Sequence, residues 1–117
     1  MTLGQKQRVF ARLVARLIEH AYTLGYEITL GEAYRTPAQA AANAAAGTGI
    51  SNSLHIQRLA IDLNLFKDGI YLTDSAEHLP LGEFWESLST PDYTCCWGGR
   101  FKRQDGNHYS VEHGGVK

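Results

Sequence analysis

The sequence predicts a small α+β domain whose antiparallel sheet is covered by helices on one side. Three observations carry that expectation: an amphipathic helix opens the chain, a two-faced strand lies near its middle, and the segments run helix, strand, helix, strand pair, helix, strand pair. At 117 residues, 44% apolar and 20% charged, the chain has the size and composition of one globular domain, residues 1–117. Folding should bury roughly two-thirds of its extended surface.

Each element has its own signal. Thr2 and Gln5 have the spacing of a capping box, and Phe10, Leu13, Val14, Leu17 and Ala21 then share one helical face while Arg8, Arg12, Arg16 and Glu19 share the other. That helix ends near Gly25, with His20 suited to its last turn. "YEITL" (26–30) reads as a short strand. "RTPAQAAANAAAG" reads as a second helix with Thr36 as cap, Pro37 in the first turn and Gly47 as stop. "GTGISNS" (47–53) is a polar loop. From Leu59 to Phe66 the pattern alternates, with Leu59, Ile61, Leu63 and Leu65 on one side and Ala60, Asp62, Asn64 and Phe66 on the other. Asp68-Gly69 is a hairpin signal that lets "IYL" pair back. "LGEFWESL" (81–88) is a short amphipathic helix, "YTCCW" a strand, "GGRFKRQDGN" a long polar loop and "HYSVEH" a final strand.

Composition excludes several classes. The net charge of -1 offers no general attraction to polyanions, and the basic residues lack aromatic interleaving, so nucleic acid is not an expected partner. The arginine row of the first helix reads as a solvated face, with an anionic wall or membrane surface as the alternative. No apolar run is long enough for membrane insertion. The first residues lack the apolar core and cleavage site of a signal peptide, which predicts a chain kept in the cytoplasm at synthesis. Cys95 and Cys96 are adjacent, too close for a normal bridge, and read as reduced thiols packed in a strand.

Asp62 is the residue that the strand pattern does not explain, because a carboxylate taken out of water needs a compensating partner. His55, Asp62 and His108 all fall near strand ends, and two imidazoles with one carboxylate form a ligand set that zinc accepts with a fourth position open. Spacing alone leaves structural roles equally open for each of them. Asp105, three residues before His108 in "DGNHYS", is either a general base for a water at that centre or part of a turn. Arg35 in "GEAYRTP" either faces the same cleft, holding a carboxylate or an oxyanion, or is a surface arginine.

These segments together resemble a known family. "SLHIQRLAID" is similar to the signature of the D-alanyl-D-alanine peptidases and phage endolysins (peptidase family M15): Ser, any residue, His, then Ala and Asp at the fifth and seventh positions beyond that His. Asp105 with His108 matches its second half, "YRTP" resembles its arginine segment, and "WGGRF" resembles the stretch before its last ligand. The resemblance runs from about Gly31 to His113 and implies the fold of DD-peptidase and hedgehog-like domains. It implies that His55, Asp62 and His108 bind Zn2+, that Asp105 is the catalytic base, that Arg35 stabilises the tetrahedral intermediate or anchors substrate, and that Ser53 contacts substrate or orients His55. Arg58 departs from the pattern, standing where the family usually has Gly.

The resemblance further implies a substrate, the peptidoglycan stem peptide. An aspartate base resembles the phage-type enzymes and favours an L-alanyl-D-glutamate endopeptidase, a monomeric endolysin acting in the periplasm or cell wall after release. A D-alanyl-D-alanine carboxypeptidase and a non-catalytic zinc-containing peptidoglycan-binding module are the alternatives. Among the other polar and aromatic residues, Glu112 and His113 read as strand-end surface residues or as groups orienting a ligand. His78 reads as solvent-facing. Trp97, Tyr109 and Tyr34 either line the cleft or belong to the core.

Overall fold

Gln5 N–H donates to Thr2 Oγ1 at 3.2 Å and Thr2 N–H to Gln5 Oε1 at 2.8 Å, so the expected capping box starts helix α1, Leu3–Thr23. The structure is a computed structural model describing residues 1–50 and 52–117; Ser51, inside the predicted polar loop, lies outside the described residues. Phe10, Leu13, Leu17 and Ala21 are the buried residues of α1, the apolar stripe its periodicity calls for. Gly25, at φ 87°, lets the chain turn into β1, Glu27–Leu30. Thr36 Oγ1 accepts from Gln39 N–H to cap α2, Pro37–Ala45, which buries only Ala40.

A 3-10 turn over Leu54–Gln57, unannounced by the pattern, precedes β2, Ala60–Lys67. Asp68 and Gly69 both have positive φ (52° and 76°), as a two-residue primed hairpin turn requires, and β3, Ile70–Leu72, pairs back. Helix α3, Leu79–Ser87, starts two residues earlier than the pattern suggests, with Pro80 in its first turn. Strands β4, Cys95–Trp97, and β5, His108–Val111, complete the chain.

All strand pairs are antiparallel, in the order β1-β2-β5-β4 with β3 also on β2. Strand β2 is the hub. One of its edges takes β1 from Glu27↔Phe66 to Leu30↔Leu63, and the other is divided between β5 (Ala60↔Ser110 to Asp62↔His108) and β3 (Leu65↔Leu72 to Lys67↔Ile70). The α+β expectation is met. On one sheet face Leu59, Ile61, Leu63, Leu65, Tyr109 and Val111 form the core with α1 and α3. Trp85 of α3 lies edge-on to Phe10 at 5.8 Å and to Tyr109 at 6.1 Å, and its Nε1–H donates to Ser110 O at 3.0 Å. The other face of β2 and β5 presents Asp62 and His108.

Three aromatic or imidazole positions resolve toward the core. His78 is not solvent-facing: it is 3% exposed, with Nδ1 2.8 Å from the Tyr109 hydroxyl, because the polar segment before Pro80 forms a 3-10 turn, Ser75–His78, that leads into α3 and carries the ring inward. Tyr109 is fully buried. Trp97 is buried too, against Gly82 and Gly99, where a Cβ would lie 2.1 and 2.2 Å from the indole. Cys95 and Cys96 are free and buried, as expected, and burial pushes the Cys95 thiol up to about 12.

Candidate metal centre

Register brings the first two candidate ligands together. Asp62 and His108 are cross-strand partners, and because Leu63 N–H donates to Asn107 O at 2.9 Å, the hydrogen-bonded pairs fall on either side of them. Asp62 and His108 therefore form the non-hydrogen-bonded kind of pair, whose side chains stand closest. On the opposite edge Asp62 O accepts from Gly31 N–H and Asp62 N–H donates to Glu32 O, both at 2.8 Å. Two residues thus oppose one, a bulge that redirects the chain after β1 across the end of the sheet. A Cβ on Gly31 would lie 2.7 Å from Asp62 O, so the approach needs glycine.

His55 comes from the 3-10 turn. Ser53 Oγ caps that turn by accepting from His55 N–H at 3.2 Å, and Arg58 ends it at φ 56°. That left-handed conformation is the reason a glycine suits position 58. Arg58 adopts it with its guanidinium 4.0 Å over the Tyr34 ring, which leaves Tyr34 half-exposed outside the core. The chain beyond the bulge supplies Ala33 O, 2.8 Å from His55 Nδ1. A proton on Nδ1 donated to that carbonyl leaves the Nε2 lone pair facing Asp62.

The three groups converge. Asp62 Oδ1 lies 3.4 Å from His55 Nε2 and 3.5 Å from His108 Nδ1, and one ligand atom from each residue lies within 4.8 Å of the others. Yet Asp62 Oδ1 is buried with no hydrogen-bond partner of acceptable geometry among the described residues. A cation between these atoms would satisfy the orphaned oxygen and both ring nitrogens at once, so the cluster can hold a metal ion. The electrostatics agree. Burial raises the Asp62 carboxyl, but the His108 and His55 rings outweigh it and hold the group at about 2. Burial opposes a charged His55, yet Asp62 and the Ala33 carbonyl keep its pKa above the ordinary 6.5.

Asp105 stands beside the cluster, Oδ2 4.0 Å from His108 Nδ1, with its side chain 54% exposed. Burial is the largest influence on it and raises its pKa; Asp62 adds to the rise and His108 opposes it. The backbone of its loop is tightly held. Asp105 N–H donates to Gly98 O and His108 N–H to Asp105 O, each at 3.0 Å, while Trp97 Nε1–H donates to Gly106 O at 2.7 Å. A Cβ on Gly98 would lie 2.0 Å from Asp105 O. The "WGG" stretch thus has a structural role: the indole and the bare glycine backbone let the 104–107 loop lie against them.

Arg35 lines the same cleft, about 480 Å³, with Ser53, the three candidate ligands and Asp105. Its guanidinium is held by Glu32, whose Oε1 accepts from Nε at 2.8 Å. Glu32 and the Ala33 carbonyl were missed from sequence. The i,i+3 spacing of Glu32 and Arg35 was a signal for the first; nothing local signals a carbonyl that reaches His55. Glu112 and His113 hold the end of the chain instead: Lys6 Nζ donates to Glu112 O at 3.1 Å and lies 3.4 Å from His113 Nδ1.

No family model matches the chain, and no curated protein matches it. Among solved structures it is similar to the L-Ala D-Glu endopeptidase ChiX of Serratia marcescens, with a TM-score of 0.66 and 20% sequence identity over 87% of this chain and 79% of that one. The likeness bears on the fold, and the α+β architecture is shared.

Proposed function

We propose that this chain is a zinc-dependent peptidase of the D-alanyl-D-alanine peptidase and phage endolysin family, cutting the peptidoglycan stem peptide between L-alanine and D-glutamate. The observation that carries the reading is the orphaned Asp62 Oδ1 between two imidazole nitrogens, in residues that match the family signature in order. The solved neighbour's activity supports the choice of bond. Cations at the cleft, Arg35, Arg103 and Lys117, suit a substrate rich in carboxylates.

Zinc held by His55, Asp62 and His108 would supply Lewis acidity at an open coordination position. Asp105, beside the cluster with Oδ2 4.0 Å from His108 Nδ1, takes the proton from the attacking water at its carboxylate and returns it to the leaving amine. Arg35, oriented by Glu32, pairs with a substrate carboxylate or with the oxyanion that develops on the attacked carbonyl. Ser53 positions His55 through the backbone, and Ala33 O fixes its tautomer. In this reading the protein is a single-domain monomer, made in the cytoplasm of an infected or lysogenic cell and acting as an endolysin in the periplasm or wall after release.

Asp105→Ala tests the reading. The side chain makes no hydrogen bond among the described residues, so the variant should fold and bind one zinc per chain while hydrolysis falls by about 10²–10⁴. Mass spectrometry of digested peptidoglycan should reveal new amino termini on D-glutamate. Released D-alanine alone would assign a carboxypeptidase, and wild-type protein that binds muropeptides without cutting them would assign a binding module.

A further inference from the structure

A second cavity, about 260 Å³, lies across the 104–107 loop from the cleft, and Gln104 and Asp105 line both. The two differ in chemistry. The cleft carries cations, whereas the second cavity is lined by Thr73, Ser75, His78 and Asn107, with the Asp105 carboxyl on the shared wall. His78 offers a polar ring whose Nδ1 is paired with the Tyr109 hydroxyl 2.8 Å away; in the tautomer where the hydroxyl donates, Nε2–H is the ring's donor. Burial, which holds His78 well below its ordinary pKa, keeps that ring uncharged.

The cavity is built from fixed parts. Ser75 Oγ accepts from Gly106 N–H at 3.0 Å, and a Cβ on Gly106 would lie 2.4 Å from Ser75 Cα, so the loop and the 75–78 turn are in close contact. Tyr71 also lines it, 51% exposed, with its ring 5.2 Å from that of Phe66. Neutral donors and acceptors beside an exposed aromatic face suit a pyranose. Hydroxyl and acetamido groups meet the polar wall, and the apolar C–H face of the sugar packs on the phenol ring.

We infer that this cavity is a saccharide subsite that takes an N-acetylated hexosamine of the glycan strand next to the peptide being cut. The inference rests on the proposed function: the stem peptide starts on a sugar, and one extended residue spans about 3.3–3.6 Å, so a bond after the first residue at Asp105 leaves the sugar within reach of the adjoining cavity.

The test uses the full chain and two probes. Titrating 15N-labelled protein with the peptide-free N-acetylglucosamine–N-acetylmuramic acid disaccharide should shift the Thr73, Ser75 and Asn107 amides, and Tyr71→Ala should remove those shifts while Tyr71→Phe retains them. No shift, or shifts confined to Arg35, Ser53 and Arg103, would overturn the subsite. In hydrolysis, kcat/KM for the disaccharide-linked peptide should exceed that for the free peptide by about tenfold, and the ratio should fall toward one in Tyr71→Ala. An equal ratio in wild type and variant also overturns it. If neither substrate is cut the proposed function fails, and the titration still decides the subsite.

Discussion

Asp62→Asn preserves side-chain volume and removes one charge, and its consequences follow from the two imidazoles. In the metal-free chain Asp62 is held at about 2 against an ordinary 3.8, a difference of roughly 2.5 kcal/mol. Its folded pKa is depressed, so that contribution is present above 3.8 and lost as the pH falls through about 2. The pKa of His55 is raised, so its share is full below 6.5 and lost as the pH rises through the folded value. The acid–imidazolium cluster thus stabilises the metal-free fold most in mildly acidic solution. Above the folded pKa of His55 its imidazolium is lost as a partner of the carboxylate, and Asn at position 62 should cost the metal-free protein less than it does in mildly acidic solution.

Zinc bound at the proposed centre should reverse the balance. At a hundredfold excess over its dissociation constant it would add about 2.7 kcal/mol. With about 2.1 cal/mol/K of unfolding entropy per residue, the 117-residue chain should gain roughly 11 °C in Tm. Asn presents a neutral amide in place of the carboxylate, so the gain should shrink to under about 2 °C. Thermal melts followed by circular dichroism at slightly alkaline pH, with chelator and with zinc, measure the difference. Lowering the pH through the His55 pKa should erase the wild-type gain as well, because protons compete for Nε2. An Asp62→Asn protein with the full zinc-induced shift would refute the ligand assignment.

Two further predictions concern residues around the centre. Arg58 holds a left-handed backbone, which disfavours a non-glycine residue by roughly 1–2 kcal/mol, against about 0.5–1 kcal/mol from stacking on Tyr34. Arg58→Gly should therefore leave stability equal or higher, while Arg58→Ala, which keeps the strain without the stacking, should lose about 0.5–1 kcal/mol; urea denaturation that finds the Gly variant less stable than the Ala variant would contradict this. His78 is held at about 4 by burial, so its contribution is complete above 6.5 and is lost as the pH falls toward 4, to a limit of about 3 kcal/mol. Urea midpoints at about pH 7 and pH 4.5 should converge in His78→Gln relative to wild type, and an unchanged difference would refute that role.

Much of this arrangement was legible because its causes are local. The capping box at Thr2, the primed turn at Asp68-Gly69 and the two-sided pattern of β2 each act within a few residues, and the structure has all three. Asp62 was legible as a problem, a carboxylate on a strand otherwise packed with leucines. His78 was misread because polarity over a few residues says nothing of the 3-10 turn that contains it and brings the ring against Tyr109. Glu32 and Ala33 were missed because their roles depend on a bulge, and a bulge is a disagreement between two strands distant in the chain, invisible in either one alone.

The same division explains how the centre is held. Position 55 is set by the Ser53 cap and the Arg58 left-handed stop, positions 62 and 108 by register, the Ala33 carbonyl by the bulge, and Asp105 by glycine contacts with Trp97 and its own loop. Apart from the Ala33 carbonyl, which meets the His55 ring at Nδ1, these devices act on backbone and not on the candidate ligands' side chains. The fold can therefore present the two imidazoles and the carboxylate before any ion arrives, at the cost of leaving Asp62 Oδ1 unsatisfied, and that unsatisfied oxygen is what would make binding favourable.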